Sequence, residues 1–455
     1  MIVRHLVLIL LAVLFSSPLA QAENWPTYRH DGRRSGVTSE ALAFPLTQAW
    51  VRLSDQRPQT AWTGPAKWDA YSGNSGLQSM RNFDPCFYVT ADKGQVFFGS
   101  SVDDAVHSLD AASGEERWVF FTDSAVRLPP TLSGEQAYFG SDDGHVYCCD
   151  QTNGELIWKC CASPSNRFVT SNRKILSMWP VRTGVLLQDG CALFGGSLVP
   201  WNTSYLWKVD AENGRSSDER CFRTDVDGVT LQGALLASAE RVYVPQGRAA
   251  PLTFDAVSGK PLGAIGEAGG VFCVLTEDEM LLAGPQTQKE SSNQVRIADA
   301  VSRKRVATFS GTNRILVDGE NAWIPIAGKL KQLHRGRYIE AQMKASKYQA
   351  IVNNKKLQDE TAKEEARQAV SRAQQDQAAA WRWEVDCPPP RGFIKTANAV
   401  VVGLDGEVRA YAPQTGALIW KHAVEGVAHG LAVADGRLFV STGRGHIYAF
   451  TNDVQ

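Results

Sequence analysis

The chain has 455 residues, 44% hydrophobic and 21% charged, with Gly 39 and Pro 20. That balance excludes a disordered chain, a collagen-like one and a disulfide-built miniprotein. Lys+Arg 47 against Asp+Glu 48 gives a formal net charge of −1, so nothing in the charge points to a nucleic acid or an anionic membrane as partner.

Arg4 and His5 precede an apolar run from Leu6 to Phe15, which Ser16, Ser17 and Pro18 break before Ala20-Gln21-Ala22. The run is too short to span a bilayer, which takes roughly 20 apolar residues. Residues 1–22 therefore read as a secretory signal peptide cut near Ala22, sending the mature chain to the periplasm or outside the cell. No later run is long enough for a transmembrane anchor. Residues 23–45 read as a lead-in and residues 46–455 as one repeat domain. An exported chain meets an oxidising compartment, which permits disulfides. The nine cysteines are an odd number, so at least one thiol stays free or pairs between chains, and no CxxC spacing marks a zinc knuckle.

A repeat fills the domain. Val106-His-Ser-Leu-Asp110-Ala-Ala-Ser-Gly114-Glu-Glu-Arg-Trp118 matches Val146-Tyr-Cys-Cys-Asp150-Gln-Thr-Asn-Gly154-Glu-Leu-Ile-Trp158 and Val408-Arg-Ala-Tyr-Ala412-Pro-Gln-Thr-Gly416-Ala-Leu-Ile-Trp420. Each is a strand, a turn closed by Gly, and a second strand with Trp four residues after the Gly. The Asp side chain can bond turn backbone, and the Gly takes the left-handed conformation. Asp210 with Gly214 and Asp255 with Gly259 keep the turn and lose the Trp, and Asp299 has Arg303 where Gly is expected. Outgoing strands fall near residues 50, 118, 158, 221, 262, 307, 383 and 420, with short gaps of about 40 residues, the length of a four-stranded propeller blade. The last copy, Gly445-His-Ile-Tyr-Ala-Phe450, lacks its outgoing strand, and Leu46-Thr-Gln-Ala-Trp50-Val51 supplies one from the other end of the domain. The pattern predicts an all-β, eight-bladed propeller whose N-terminal strand closes the last blade.

Three gaps are long. Residues 54–85 and 162–180 carry turn-forming residues and read as loops. Residues 335–380 hold no Pro and one Gly, with dense Lys, Glu, Gln and Ala, a helix-favouring composition. The expectation there is two helices of about 16 and 24 residues bent at Asn353-Asn354, inserted in blade six before its outer strand at Trp381–Val385. A modest apolar stripe of Tyr338, Ile339, Met343, Tyr348, Ile351 and Val352 makes this insertion the candidate protein-docking arm.

The turn-and-Trp motif resembles the pyrroloquinoline-quinone (PQQ) repeat of the eight-bladed quinoprotein alcohol dehydrogenase-like superfamily. Trp25-Pro-Thr-Tyr-Arg-His-Asp-Gly-Arg-Arg-Ser-Gly36-Val37 resembles the lead-in of exported PQQ-binding-like propellers. The resemblance covers nearly all of the mature chain and implies one of two functions. Some members are dehydrogenases that oxidise alcohols or sugars with PQQ and calcium. Another is the outer-membrane assembly lipoprotein BamB, which has the repeat and no cofactor. In the dehydrogenases the quinone stacks between a Trp and a disulfide of adjacent cysteines, near calcium ligands Glu, Asn and Asp. Cys148-Cys149 is similar in sequence to that adjacent pair, but alternation along a strand points the two thiols to opposite faces. Cys160-Cys161, at a strand end before Pro164, suits an adjacent bridge better and stands outside the family position. No calcium ligand can be assigned residue by residue, and no CxxCH haem site is present.

Other chemistry is sparse: there is no HExxH, no GxSxG and no phosphate loop. His145 and His446 each follow a Gly at the start of a third strand, as equivalent blade positions. Asp103-Asp104 and Asp142-Asp143 sit in turns where carboxylates could take calcium. Cys86, Cys273 and Cys387 fall near innermost strands and could face the axial channel, and Trp179 and Trp201 are channel aromatics that could stack a sugar. None of these is assigned as a catalytic, cofactor-binding or metal residue. The sequence points to an exported, non-enzymatic scaffold for a protein or ligand, with a PQQ- and calcium-dependent dehydrogenase as the alternative.

Overall fold

A computed structural model describes residues 23–61, 83–171, 173–217, 219–247, 249–266, 268–285 and 294–452. The signal-peptide reading, residues 1–22, lies outside the described residues, as does 62–82 of the first long gap.

The chain opens with β1 (Thr47–Arg52). Two four-stranded sheets follow: β2 (Val89–Asp92), β3 (Gln95–Ser100), β4 (Ala105–Asp110) and β5 (Glu116–Phe121), then β6 (Thr131–Ser133), β7 (Gln136–Gly140), β8 (His145–Asp150) and β9 (Leu156–Cys161). A hairpin, β10 (Phe168–Ser171) and β11 (Lys174–Ser177), stands apart. Four more four-stranded sheets come next in chain order. These are β12 (Leu186–Gln188), β13 (Cys191–Gly196), β14 (Ser204–Asp210) and β15 (Phe222–Val226); β16 (Leu236–Ala237), β17 (Arg241–Gln246), β18 (Ala249–Asp255) and β19 (Pro261–Ala264). Then come β20 (Ala268–Leu275), β21 (Met280–Pro285), β22 (Gln294–Asp299) and β23 (Arg305–Ser310); β24 (Leu316–Asp318), β25 (Asn321–Ile326), β26 (Lys329–His334) and β27 (Trp381–Asp386). Helices α1 (Arg335–Val352) and α2 (Glu360–Ala379) interrupt this last sheet between β26 and β27. The remaining strands are β28 (Gly392–Lys395), β29 (Val400–Gly403), β30 (Asp405–Tyr411), β31 (Leu418–Ala434), β32 (Arg437–Thr442) and β33 (Ile447–Thr451). The 17-residue β31 pairs with β30 through its first part and with β32 through its last, so it serves two arrays, and β1 completes the second beside β33. Val51 opposes Tyr448 there.

The fold is a β-propeller. Central strands such as β3 and β7 are buried on both faces because each sheet is sandwiched between its neighbours, while in outer strands such as β5 and β9 the Trp alone is fully buried. The Trp of the repeat fastens one sheet to the next. Trp118 Nε1 on β5 donates to the Gln151 carbonyl in the following sheet's turn at 3.0 Å, Trp158 to Ala211 at 2.9 Å and Trp383 to Pro413 at 3.1 Å. Trp50 on the closing strand reaches Ala111 in the first sheet at 3.0 Å. The ring lies over the Gly of that turn: a Cβ at Gly154 would sit 2.7 Å from Trp118, and one at Gly114 2.6 Å from Trp50.

Two expectations need correction. Residues 162–180 are not all loop, since β10 and β11 pair there. The helices have 18 and 20 residues rather than 16 and 24, with the bend beginning at Asn353 as expected; Asp359 caps the second by accepting from Ala362 N at 2.9 Å.

The lead-in runs around one mouth of the axial channel. Trp25 exchanges backbone bonds with Ala91, Pro26 O accepts from Leu132, Gly32 O from Ala237, Arg33 O from Leu275, and Gly36 O from Lys395. Thr38 N then donates to Lys395 O and Glu40 O accepts from Ala397. Each step joins the lead-in to the late part of an innermost strand or the residues just after it. Buried Arg34 locks the loop by donating to Leu235 O at 2.8 Å and to Thr27 Oγ1 at 2.8 Å.

Candidate functional site

At the opposite ends of the innermost strands the approach segments carry basic side chains. Arg127 precedes β6, Arg182 precedes β12, Arg314 precedes β24, Arg391 directly precedes β28, and His429 lies at the start of the inner part of β31. Two of the arginines are neutralised. Arg127 binds Asp84 Oδ2 and Asp142 Oδ2, each at 2.6 Å, and Arg182 binds both Asp142 oxygens at 2.8 and 2.9 Å. Burial would raise the Asp142 carboxyl, but the two guanidinium groups outweigh it and hold it at about 2. For Asp84 burial wins, and its carboxyl rises above the usual range.

The axial cluster beside this network has a different balance. Arg29 reaches in from the lead-in and donates only to carbonyls, those of Arg34, Ser35 and Phe393, and stands 5.1 Å from the Phe272 ring. Arg314 lies 6.0 Å from the same ring, and its buried Nε has no partner. Tyr28 and Tyr88 pack edge to face at 4.9 Å beside it. A small cavity of about 30 Å³ lies among Tyr28, Arg29, Tyr88, Arg314, Phe393 and His429. Burial, then Arg314 and Arg391, press the His429 imidazole down to about 4.

The residues singled out in the sequence are dispersed and occupied. Cys148 packs with Tyr138 and Trp158, whereas Cys149 packs with Phe97 and Phe139, so the two thiols face opposite sides of β8. No disulfide joins any of the nine cysteines, Cys160 and Cys161 included. Burial pushes the Cys148 thiol to about 12 and the Cys160 thiol to about 11. Cys86, Cys273 and Cys387, expected near the channel, are not among the residues that line this cavity. Cys86 meets Ser441 Oγ at 3.8 Å, Cys273 packs with Leu236 and Tyr243, and Cys387 packs with Trp323 and Tyr411. Trp179 is likewise away from the cavity, buried and donating to Thr203 O at 2.7 Å, and Trp201 is 72% exposed near the start of β14. Asp103 meets His107 Nε2 at 2.9 Å, Asp104 pairs with Lys174, and Asp143 accepts from Tyr147 at 2.7 Å and from His145 N at 2.8 Å. His446 Nδ1 accepts from Ser54 N at 3.0 Å. The arginine cluster was not foreseen. Its signal is an Arg recurring ahead of the innermost strand, in Val126-Arg127, Val181-Arg182, Asn313-Arg314 and Pro390-Arg391.

The family model described as outer membrane protein assembly factor BamB, a PQQ-repeat family, matches residues 51–291 and 404–453. The chain belongs to this family. Among curated protein sequences there is no match. Quinohemoprotein alcohol dehydrogenase from Comamonas testosteroni is similar in fold, with TM-score 0.61 at 13% identity, over 94% of this chain and 80% of that one. Quinohemoprotein alcohol dehydrogenase ADHIIG from Pseudomonas putida HK5 has TM-score 0.60 at 12% identity, over 95% and 81%. BamB from Moraxella catarrhalis has TM-score 0.48 at 14% identity, over 89% and 99%.

The described residues do not fit a PQQ and calcium pair. The adjacent cysteines of β8 diverge, and the carboxylates of Asp84, Asp103, Asp104 and Asp142 are taken by Arg, His and Lys. Among the described residues no group of three or more His, Cys, Asp or Glu is placed to hold a metal ion. No helix among them is long and apolar enough to cross a membrane.

Proposed function

We propose that this BamB-family chain is an exported, non-enzymatic propeller of eight blades that holds a protein partner, with the insertion of residues 335–380 in blade six as the docking arm. The carrying observation is how the helical hairpin is mounted. Its fixed points lie at one end: Arg335 Nη2 meets Asp278 at 2.8 Å, Tyr338 stacks on Phe309 at 4.6 Å, and Gln342 bonds both backbone groups of Thr308. Past Ala341 the described side chains of α1 are half-buried or exposed, with Met343 51% exposed. The buried residues of α2 are the small or apolar Ala366, Val370 and Ala373. An arm of 18 residues is about 27 Å long at 1.5 Å per residue, so it offers a long side surface beyond its base. Assembly, the role in the family's description, is work done through such surfaces. The belt of lead-in residues across one channel mouth leaves the opposite face and the arm as the approachable parts. With a signal peptide cut near Ala22, the site of action is the periplasm or the exterior.

Affinity capture with residues 23–455 and with a form lacking 337–379 tests this reading. A partner retained by the first and lost from the second, with both forms folded, supports it; identical captures defeat the arm's role. The dehydrogenase alternative has only fold likeness behind it. Titration with PQQ and Ca²⁺ followed by dye-linked alcohol or sugar oxidation decides it, and tight binding with dye reduction would replace the scaffold reading.

A further inference from the structure

We propose that the axial cavity at Arg314 is a binding site for the carboxylate group of a small organic acid. Three features converge on it. The first is an unpaired cation. The Arg314 side chain makes no hydrogen bond or ion pair among the described residues, its Nε is buried, and its guanidinium stands 6.0 Å from the Phe272 ring. A guanidinium carries five donors, and leaving them unmet away from water costs stability unless a ligand meets them. The second is the contrast within the same ring of approach segments. Arg127 and Arg182 each hold a carboxylate in close geometry. Arg314 lies two residues before β24, where those two lie four residues before β6 and β12, and no carboxylate among the described residues meets it, so what the protein supplies twice from Asp84 and Asp142 an external carboxylate supplies here. The third is size and surroundings. About 30 Å³ holds roughly two water-sized groups, which matches two carboxylate oxygens and is tight for the four oxygens of phosphate or sulfate. Arg29 and His429 join Arg314 around the space, with the rings of Tyr28, Tyr88 and Phe393 as walls, so the local field favours an anion. No acidic side chain is among the lining residues.

The test is calorimetric titration and thermal unfolding of residues 23–455 with acetate, succinate, phosphate and sulfate at one ionic strength. Acetate and succinate should bind saturably and raise the melting temperature, with phosphate and sulfate weaker by about tenfold or more. Arg314→Gln should weaken carboxylate binding about ten- to a hundredfold, the worth of one or two charge-assisted hydrogen bonds, while melting at or above the parent temperature without ligand. Arg314→Lys should recover part of the binding. Arg391→Gln should weaken it less and carries the test if the Arg314 variants do not fold. Absence of saturable carboxylate binding, equal binding by Arg314→Gln, or a preference for phosphate or sulfate would overturn the site.

Discussion

Gly154 carries two constraints at once. Its φ of +77° suits a residue without a side chain, and the indole of Trp118 occupies the place of a Cβ. Gly134 shares the first constraint, φ +61°, with nothing within 4 Å. Gly154→Ala should therefore destabilise more than Gly134→Ala: the left-handed backbone costs about 1–3 kcal/mol in either, and only Gly154→Ala also displaces Trp118. Urea unfolding of the two variants checks the order. The same logic explains the repeat's departure at Arg303, which takes φ +60° in its turn: no Trp precedes it on β19, and its own guanidinium bonds the Leu262 carbonyl instead. His429 gives the pH prediction. Its folded value of about 4 lies below the usual 6.5, so the fold holds it neutral while the unfolded chain protonates it. Its contribution is full above about 6.5 and is lost as the pH falls toward 4. His429→Gln should flatten that part of a melting-temperature profile, and an unchanged slope would show that other groups set it.

At the scale of elements, legibility followed the strength of the local pattern. The hairpins of the first two sheets were readable because Asp, Gly and Trp each have one job in them. The helical insertion was readable from composition, and its bend from Asn353. The β10–β11 hairpin was missed because its strands are four residues long, mostly half-exposed, and lie among turn-forming residues. It is held from outside its own sequence: Lys174 donates to Ser101 O at 2.8 Å and pairs with Asp104 across to the first sheet. For the arm, removal of residues 337–379 should leave the melting temperature within a few degrees. The deletion takes Tyr338 from against Phe309 and Trp381, but β27 keeps its pairing with β26. A large loss would show that the helices belong to the core.

On the scale of the whole molecule, closure joins the two ends of the domain, and the unpaired last copy of the repeat disclosed it. The lead-in belt left no such trace, because its bonds to the innermost strands run through backbone groups, which have no residue signature. Deleting residues 23–45 should lower the melting temperature and speed amide exchange at Ala91, Leu132, Leu275 and Lys395, while β1 remains. Unaltered exchange at those amides would remove the belt from the account. Closure itself is tested most directly by a Thr47→Cys, Thr451→Cys pair, whose parent residues are register partners between β1 and β33. Mild oxidation should yield one intramolecular bridge between the two terminal peptides, found by peptide mapping, with a higher melting temperature. A folded protein in which those peptides never link would contradict the closed ring.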